Sequence, residues 1–339
     1  MEQKGFFDEA DRLKKISELG DTLEKLNNHI EWDIFKKIIK KALKKNAKGP
    51  GGRPPYDYVM MFKILILQRI YNISDDQAEF QINDRLSFQR FIGIELCNKV
   101  PDAKTIWHFR EELKETNAME KIFDIFTEKL DQQGIITRSG SIVDATFIEV
   151  PRQRNTKEEN KEIKEGQIPK EWKKKKNKNK LEQKDTDARW MTKNKTRHYG
   201  YKDHVKIDKK SKIITEYSVT NAAVHDSQEL ENLVDEDDKR IYGDSAYTGE
   251  EVQKCIPENV ENRIHEKGYR NNPLTKKQIR DNTAKSKIRA RVEHVFAAMT
   301  HFGGKKIRSI GIKRAEMQIG LLNLVYNIKR YVYLMEAAA

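Results

Sequence analysis

Apolar residues recur at helical spacing through the first part of the chain. Leu13, Ile16, Leu19, Leu23 and Leu26 form one stripe, and Trp32, Phe35, Ile38 and Ile39 continue it in a second segment. The glycines and prolines between Lys45 and Pro55 break any helix and predict a boundary. From Tyr56 to about Glu115 the pattern resets into short helices. Val59, Phe62, Ile66 and Ile70 share one face. Ser74 is a candidate N-cap with Gln77 three residues on, Asp84 a candidate cap for a helix leading to Phe91, and Asp102 for one holding Ile106, Phe109 and Leu113. A helix from about Met119 to Gln132 follows, stopped by Gly134.

The period then changes. Ser141 to Ile148 is rich in β-branched and aromatic residues and predicts a buried strand, with Asp144 in its middle. Tyr199 to Ile207 and Ile213 to Thr220 predict two strands joined by a turn at Asp208 to Ser211. A helix over Asp226 to Asp235, a short strand ending at Asp244, a helix over Glu250 to Ile256 and a strand or loop over Val260 to Glu266 come next. A basic stretch from Tyr269 to Lys287 leads into a helix, Ile288 to His301, that carries Glu293; Gly303 and Gly304 stop it. The last amphipathic helix runs from Glu316 to Leu334. This order predicts an α/β fold with an RNase H-like mixed sheet flanked by helices, behind an all-α N-terminal part. Short helices with tight turns and basic residues in that N-terminal part predict a helix-turn-helix DNA-binding domain.

Composition sharpens the picture. The formal charge is +13 over 339 residues, 35% of them charged, and the mean hydropathy is -0.85. A basic excess of this size points to a polyanionic partner, nucleic acid first. Residues 151–198 hold 17 Lys and Arg against 8 Asp and Glu, and so supply +9 of the total. Few residues there can build a core, which predicts a flexible basic insert, either a solvated linker or a tether for DNA phosphates. Trp172 and Trp190 lie within it, each a candidate either for stacking on an unpaired base or for local packing. Cys97 and Cys255 lack metal-site spacing and are too few for a disulfide framework, as expected of a reducing cytosol. Met1 to Glu9 has no apolar stretch of a signal peptide, and the longest apolar run, Val59 to Leu67, is interrupted by Lys63. No membrane partner is expected, and the expected location is a cytosol.

The candidate chemistry starts from Asp144. An unpaired carboxylate on a buried strand is costly, and a divalent ion shared with two further carboxylates offsets that cost. Asp244 ends a short strand, and Glu293 sits on a helix, where Arg289 shares its face one turn earlier. Hard oxygen ligands suit Mg2+ or Mn2+ and phosphoryl transfer. With 53 acidic residues in the chain, the settings of these three carry the signal rather than their number. Arg289 is placed either to hold a phosphate or to pair with Glu293.

Several motifs, in order, carry a resemblance. They are Gly52-Arg53-Pro54-Pro55-Tyr56, Asp84 to Gly93 and Pro101 to Arg110 in the N-terminal part. In the later part they are Val143-Asp144-Ala145-Thr146, Asp187-Ala188-Arg189-Trp190, His198 to Lys202, Tyr242 to Tyr247 and Arg291 to Phe296. From about Gly51 onward the chain resembles DDE transposases of bacterial insertion sequences, in the insertion-sequence-five group. The resemblance implies that Asp144, Asp244 and Glu293 are the catalytic metal ligands. It implies a DNA transposase that binds terminal inverted repeats, cuts the strand and joins the 3′-hydroxyl to target DNA as a homodimer or larger assembly. The domains expected are a charged helical segment (1–50), a helical DNA-binding domain (51–133) and a catalytic domain (134–339) interrupted by the insert. Related transposases surround the glutamate with a tyrosine, an arginine and a lysine. Arg289 matches the arginine, but Ser286 and Thr300 stand at the other two offsets. DNA contacts are therefore expected from Arg289, Arg291, Lys202, Trp190, Lys285 and Lys287, with Lys305 a further candidate. His225 and Asp226 are candidate secondary site residues.

Overall fold

The computed structural model describes residues 8–43, 54–95, 98–193 and 195–338. Most of the expected boundary between Lys45 and Pro55, the Gly52-Arg53 motif and Cys97 lie outside the described residues. The chain forms two compact units, one of Met1–Glu128 with Leu324–Ala339 and one of Lys129–Asn323.

The first unit is helical. Its elements are α1 (Asp8–Glu18), α2 (Thr22–His29), α3 (Lys36–Ala42), α4 (Tyr58–Tyr71), α5 (Asp75–Asp84), α6 (Leu86–Ile92), α7 (Ala103–Glu115) and most of α8 (Ala118–Gln132). Local signals place their starts. Ser74 accepts the Gln77 amide at 3.2 Å, and Asp102 that of Thr105 at 2.7 Å. Asp84 does not cap α6 as its sequence setting predicts. Arg85 takes an extended conformation between the two helices and donates its amide to Gln81 O at 3.0 Å, which leaves Asp84 in the last turn of α5. Helix α4 buries Met60 to Leu67 almost all round, Lys63 excepted, so it is the central helix rather than a one-faced one. Phe35 and Phe62 meet at 5.1 Å beside it, and Trp32 meets Phe91 edge-on at 5.5 Å. Arg110 clamps Asp75 with two bonds, at 2.8 and 2.7 Å.

The second unit is built on a mixed sheet. In chain order it holds β1 (Ser141–Glu149), α9 (Lys157–Lys164), α10 (Lys178–Gln183), β2 (Arg189–Lys193), β3 (Thr196–Asp208) and β4 (Ile214–Asn221). Helix α11 (Leu230–Leu233), β5 (Arg240–Tyr242), α12 (Glu250–Lys254), β6 (Glu261–Asn262), α13 (Lys276–Thr300) and the start of α14 (Ile312–Ala338) follow, α14 belonging to the first unit from Leu324 on. The strands run β2-β3-β1-β5-β6, and β4 also pairs with β3. Strand β3 lies antiparallel to β1, while β5 and β6 continue the sheet in parallel. This is the mixed sheet flanked by helices that the element order predicts. Its hairpin turn is fixed by Asp208, whose carboxylate accepts the Lys210 and Ser211 amides at 3.0 and 2.7 Å.

One edge of β3 serves two partners, with β2 paired up to Gly200 and β4 from Tyr201. Gly200 lies at this change. A Cβ there would lie 2.1 Å from Ile148 O, so β1 and β3 approach more closely than any side chain allows.

The pleat sorts the side chains of β1. Val143 points into a cluster of Leu230, Leu233, Ile241, Tyr247, Val260 and Ile264. Asp144, one residue on, therefore faces the other side, where α13 packs on β1 and β5.

Residues 151–198 differ from the flexible segment that composition predicts. Thr156 opens α9 with a capping box, and Trp172 is fully buried with its indole N–H donating to Glu159 at 2.6 Å. Lys184 lies 4.9 Å above the same ring. One tryptophan and one carboxylate thus organise a charge-rich stretch whose lysines stay outside. Trp172 packs, while Trp190 on the edge strand β2 is 46% exposed.

Candidate active site

Two aspartates are brought abreast by strand register. In the parallel pair of β1 and β5, Ile142 lies opposite Tyr242. Two residues further along each strand come Asp144 and Asp244, both on the α13 side of the sheet. Gly243 keeps the intervening backbone close, since a Cβ there would touch Val143 Cγ2 and the Tyr247 ring, both at 3.2 Å. Asp244 then caps a 3-10 turn, Ser245–Tyr247, by accepting the Ala246 amide at 2.7 Å. Both carboxylates sit where the parallel strands end, the place where open α/β sheets put their ligand sites.

Helix α13 adds a third. Its capping box at Thr275 and Gln278 fixes where it starts, and Val292, Val295 and Met299 bury one face. Asn282, Ser286, Arg289 and Glu293 follow at intervals of four, three and four residues, so they form a single stripe. Asn282 holds the Glu266 backbone at both its N–H and its C=O, at 3.0 and 2.9 Å. Ser286 Oγ lies 3.2 Å from His265 Nε2. Arg289 Nη1 donates to Asp144 Oδ2 at 2.7 Å and lies 3.8 Å from Glu293 Oε1. The helix thus runs from the segment that follows β6 to Asp144 on β1.

Burial pushes the Asp144 carboxyl up to about 6, the Asp244 and Glu293 charges push the same way, and the Ala145 amide and Arg289 act against it. The three carboxylates therefore share one electrostatic neighbourhood. The Asp144 side chain is 13% exposed and that of Glu293 60%. Among the described residues no three His, Cys, Asp or Glu side chains converge tightly enough to grip an ion, and Arg289 lies across the gap. The donor set still fits a hard divalent cation, being three carboxylates, one of them nearly dry and partly neutralised by a guanidinium.

The other expected site residues are dispersed. Arg291 donates to Lys209 O at 2.6 Å, and Lys285 to Ile264 O at 2.9 Å, so both brace loops. Lys202 is buried and donates to Val224 O and Asp226 at 2.6 and 2.8 Å. It pairs opposite Phe147, on the sheet face away from Asp144. Next to it on that face are His204, bonded to Thr220 at 2.8 Å, and Lys206, bonded to Asp235 at 2.6 Å. His225 is exposed and caps the following 3-10 turn. Lys287 is exposed on α13. Two neighbours of the carboxylates have no role assigned from the sequence. His265 donates its amide to Gly243 O at 3.1 Å, beside Asp244, and burial pulls its imidazole pKa down. The buried Tyr247 hydroxyl has no hydrogen-bond partner among the described residues, and burial together with Asp144 raises its pKa. Both positions depend on strand pairing that no local pattern displays.

Residues 136–328 match the family described as Transposase DDE domain. The chain belongs to the DDE transposase family. Residues 11–112 of this transposase also match the description Transposase domain (DUF772). It is a DNA transposase of insertion-sequence type, a polynucleotidyl transferase of a family that depends on divalent metal and acts on DNA. The chain is similar to one in the cryo-EM structure of a piggyBac transposase synaptic complex with hairpin DNA, with 13% identity over 93% of this chain and 73% of that one and a TM-score of 0.43. A likeness that loose decides nothing about the site. Among the described residues no helix is long and apolar enough to cross a membrane.

Proposed function

We propose that Asp144, Asp244 and Glu293 are the catalytic residues of this transposase and the ligands of Mg2+ or Mn2+. The observation that carries this is the parallel register of β1 and β5, which sets the two aspartates side by side beneath the Glu293 stripe of α13. When bound, the metal supplies Lewis acidity and a charge against which the phosphodiester reacts. Asp144, within β1, and Asp244, just past the end of β5, hold their oxygens rigidly. Glu293, on the solvent side, closes the set. Arg289 is placed to orient a phosphate over the strand ends.

The same proposal assigns the chain to the insertion-sequence-five group. Residues 51–133 bind the terminal inverted repeats, and 134–339 cut the strand and join the 3′-hydroxyl to target DNA. Exposed Trp190, with Arg152 5.7 Å over its ring, and Lys287 contact DNA outside the carboxylates. The pairing of two DNA ends requires at least a dimer in the working complex, in the bacterial cytosol.

Strand transfer tests the proposal. A pre-cut oligonucleotide carrying the element's own end is incubated with Mg2+ and a plasmid target. Wild type should give joined product, and Asp144→Asn and Glu293→Gln none. Joining that survives either substitution would misplace the metal site. Cleavage without joining by wild type would make the protein a nuclease on the same fold.

A further inference from the structure

Asp144 presents two oxygens with different partners. Oδ1 accepts the Ala145 amide at 2.8 Å, and Oδ2 accepts Arg289 Nη1 at 2.7 Å. Arg289 thus already sits on one of the two Asp144 oxygens that an ion would use, and only a backbone amide sits on the other. The same guanidinium is 3.8 Å from Glu293, so it spans the interval between the two carboxylates. Its own bonding is incomplete. Nε is buried and has no hydrogen-bond partner among the described residues, although a guanidinium offers five donors in a fork that matches an oxyanion with several oxygens. A phosphate lying over the strand ends would use that fork more fully than one carboxylate oxygen does.

We propose that Arg289 holds the place of the divalent ion on Asp144 Oδ2 and gives it up to a DNA phosphate, so that the ion loads together with DNA. This rests on the reading of Asp144 and Glu293 as ion ligands. The chemistry is an exchange of partners. Without DNA the arginine neutralises a buried carboxylate that would otherwise be costly, and a cation approaching Oδ2 meets a like charge. A phosphate draws the guanidinium away, Asp144 is left charged and unpaired, and its affinity for the ion rises. By linkage the ion then strengthens DNA binding by the same factor. Arg289 acts here as a positioning residue, and the consequence is a nuclease site that stays unloaded away from DNA.

The test reads ion binding rather than turnover. Mn2+ is titrated into the full chain without DNA, and the free-ion paramagnetic resonance signal is followed for wild type, Arg289→Gln and Asp144→Asn. Arg289→Gln should bind Mn2+ about tenfold or more tightly than wild type, the scale of one lost charge-assisted hydrogen bond. Asp144→Asn should lose the site. Adding a duplex oligonucleotide should tighten Mn2+ binding in wild type by more than in Arg289→Gln. The inference is overturned if Arg289→Gln binds no tighter than wild type while Asp144→Asn still loses the ion, or if DNA helps both equally. If Asp144→Asn binds like wild type, the ion-site reading itself fails. Should Arg289→Gln not fold, as judged by circular dichroism, Arg289→Lys takes its place. Lysine keeps the charge but not the fork, so a smaller tightening is expected, and none would overturn the inference.

Discussion

Asn323 donates its amide to Asp203 Oδ1 at 3.0 Å with both side chains fully buried, and neither Asp203 Oδ2 nor Asn323 Oδ1 has a partner among the described residues. Bare buried acceptors are costly, and a proton on Asp203 removes the charge and turns one of those oxygens into a donor. Burial accordingly pushes this carboxyl up to about 8, with the Asn323 amide acting against it. The unfolded chain gives up the proton near the ordinary 3.8, so between those two pH values the folded state holds one proton more. Stability from this group is complete below about pH 4 and is lost as pH rises to about 8, at up to about 1.4 kcal/mol per pH unit. Asp203→Asn keeps a donor and an acceptor without the charge. Thermal melts from pH 5 to 8.5 should show a flatter profile for the variant and a higher midpoint than wild type at pH 8. Parallel profiles would show that Asp203 is already ionised. Single residues were also where the sequence was least legible. Asp144, Asp244 and Glu293 stood out by their settings. The partner of Arg289 did not, because Asp144 is far along the chain and meets it only through the packing of α13 on β1. Lys285 and Arg291 read as DNA contacts for the same reason, and their carbonyl partners are invisible to any local rule.

At the level of elements, periodicity and caps carried most of the information. The strand around Asp144, the β3–β4 hairpin and the caps at Ser74 and Asp102 lie where pattern and turn chemistry put them. The segment between β1 and β2 was misjudged because composition averages over residues, and one buried aromatic is enough to nucleate packing. Trp172→Ala should remove about 3–5 kcal/mol of local stability, since it leaves a cavity and takes from Glu159 the indole donor to its Oε1. Limited proteolysis should then cut between Lys157 and Lys184 at protease levels that spare wild type. Equal resistance would mean the segment is held from elsewhere.

Over the whole molecule, charge is the quantity that composition predicts best. The excess of +13 includes four consecutive exposed lysines, Lys173 to Lys176. Each lysine that meets a phosphate adds about 0.9 to the slope of log affinity against log salt on duplex DNA. Replacing these four with glutamine should lower the slope by up to about one per lysine engaged, and nearly equally for any DNA sequence. An unchanged slope would place the run away from DNA and leave its charge to solubility.

The stripe on α13 constrains how this chain can change over generations. Asn282, Ser286, Arg289 and Glu293 work together only while they keep the same angular phase, and a helix turns about 100° per residue. A single inserted or deleted codon between Asn282 and Glu293 would swing the glutamate away from the strand ends even if every side chain were retained. Between Gly268 and Thr275, where the chain has yet to enter the helix, length carries no such phase. Descendants of this gene can therefore be expected to gain and lose residues before Thr275 and to keep a rigid count after it.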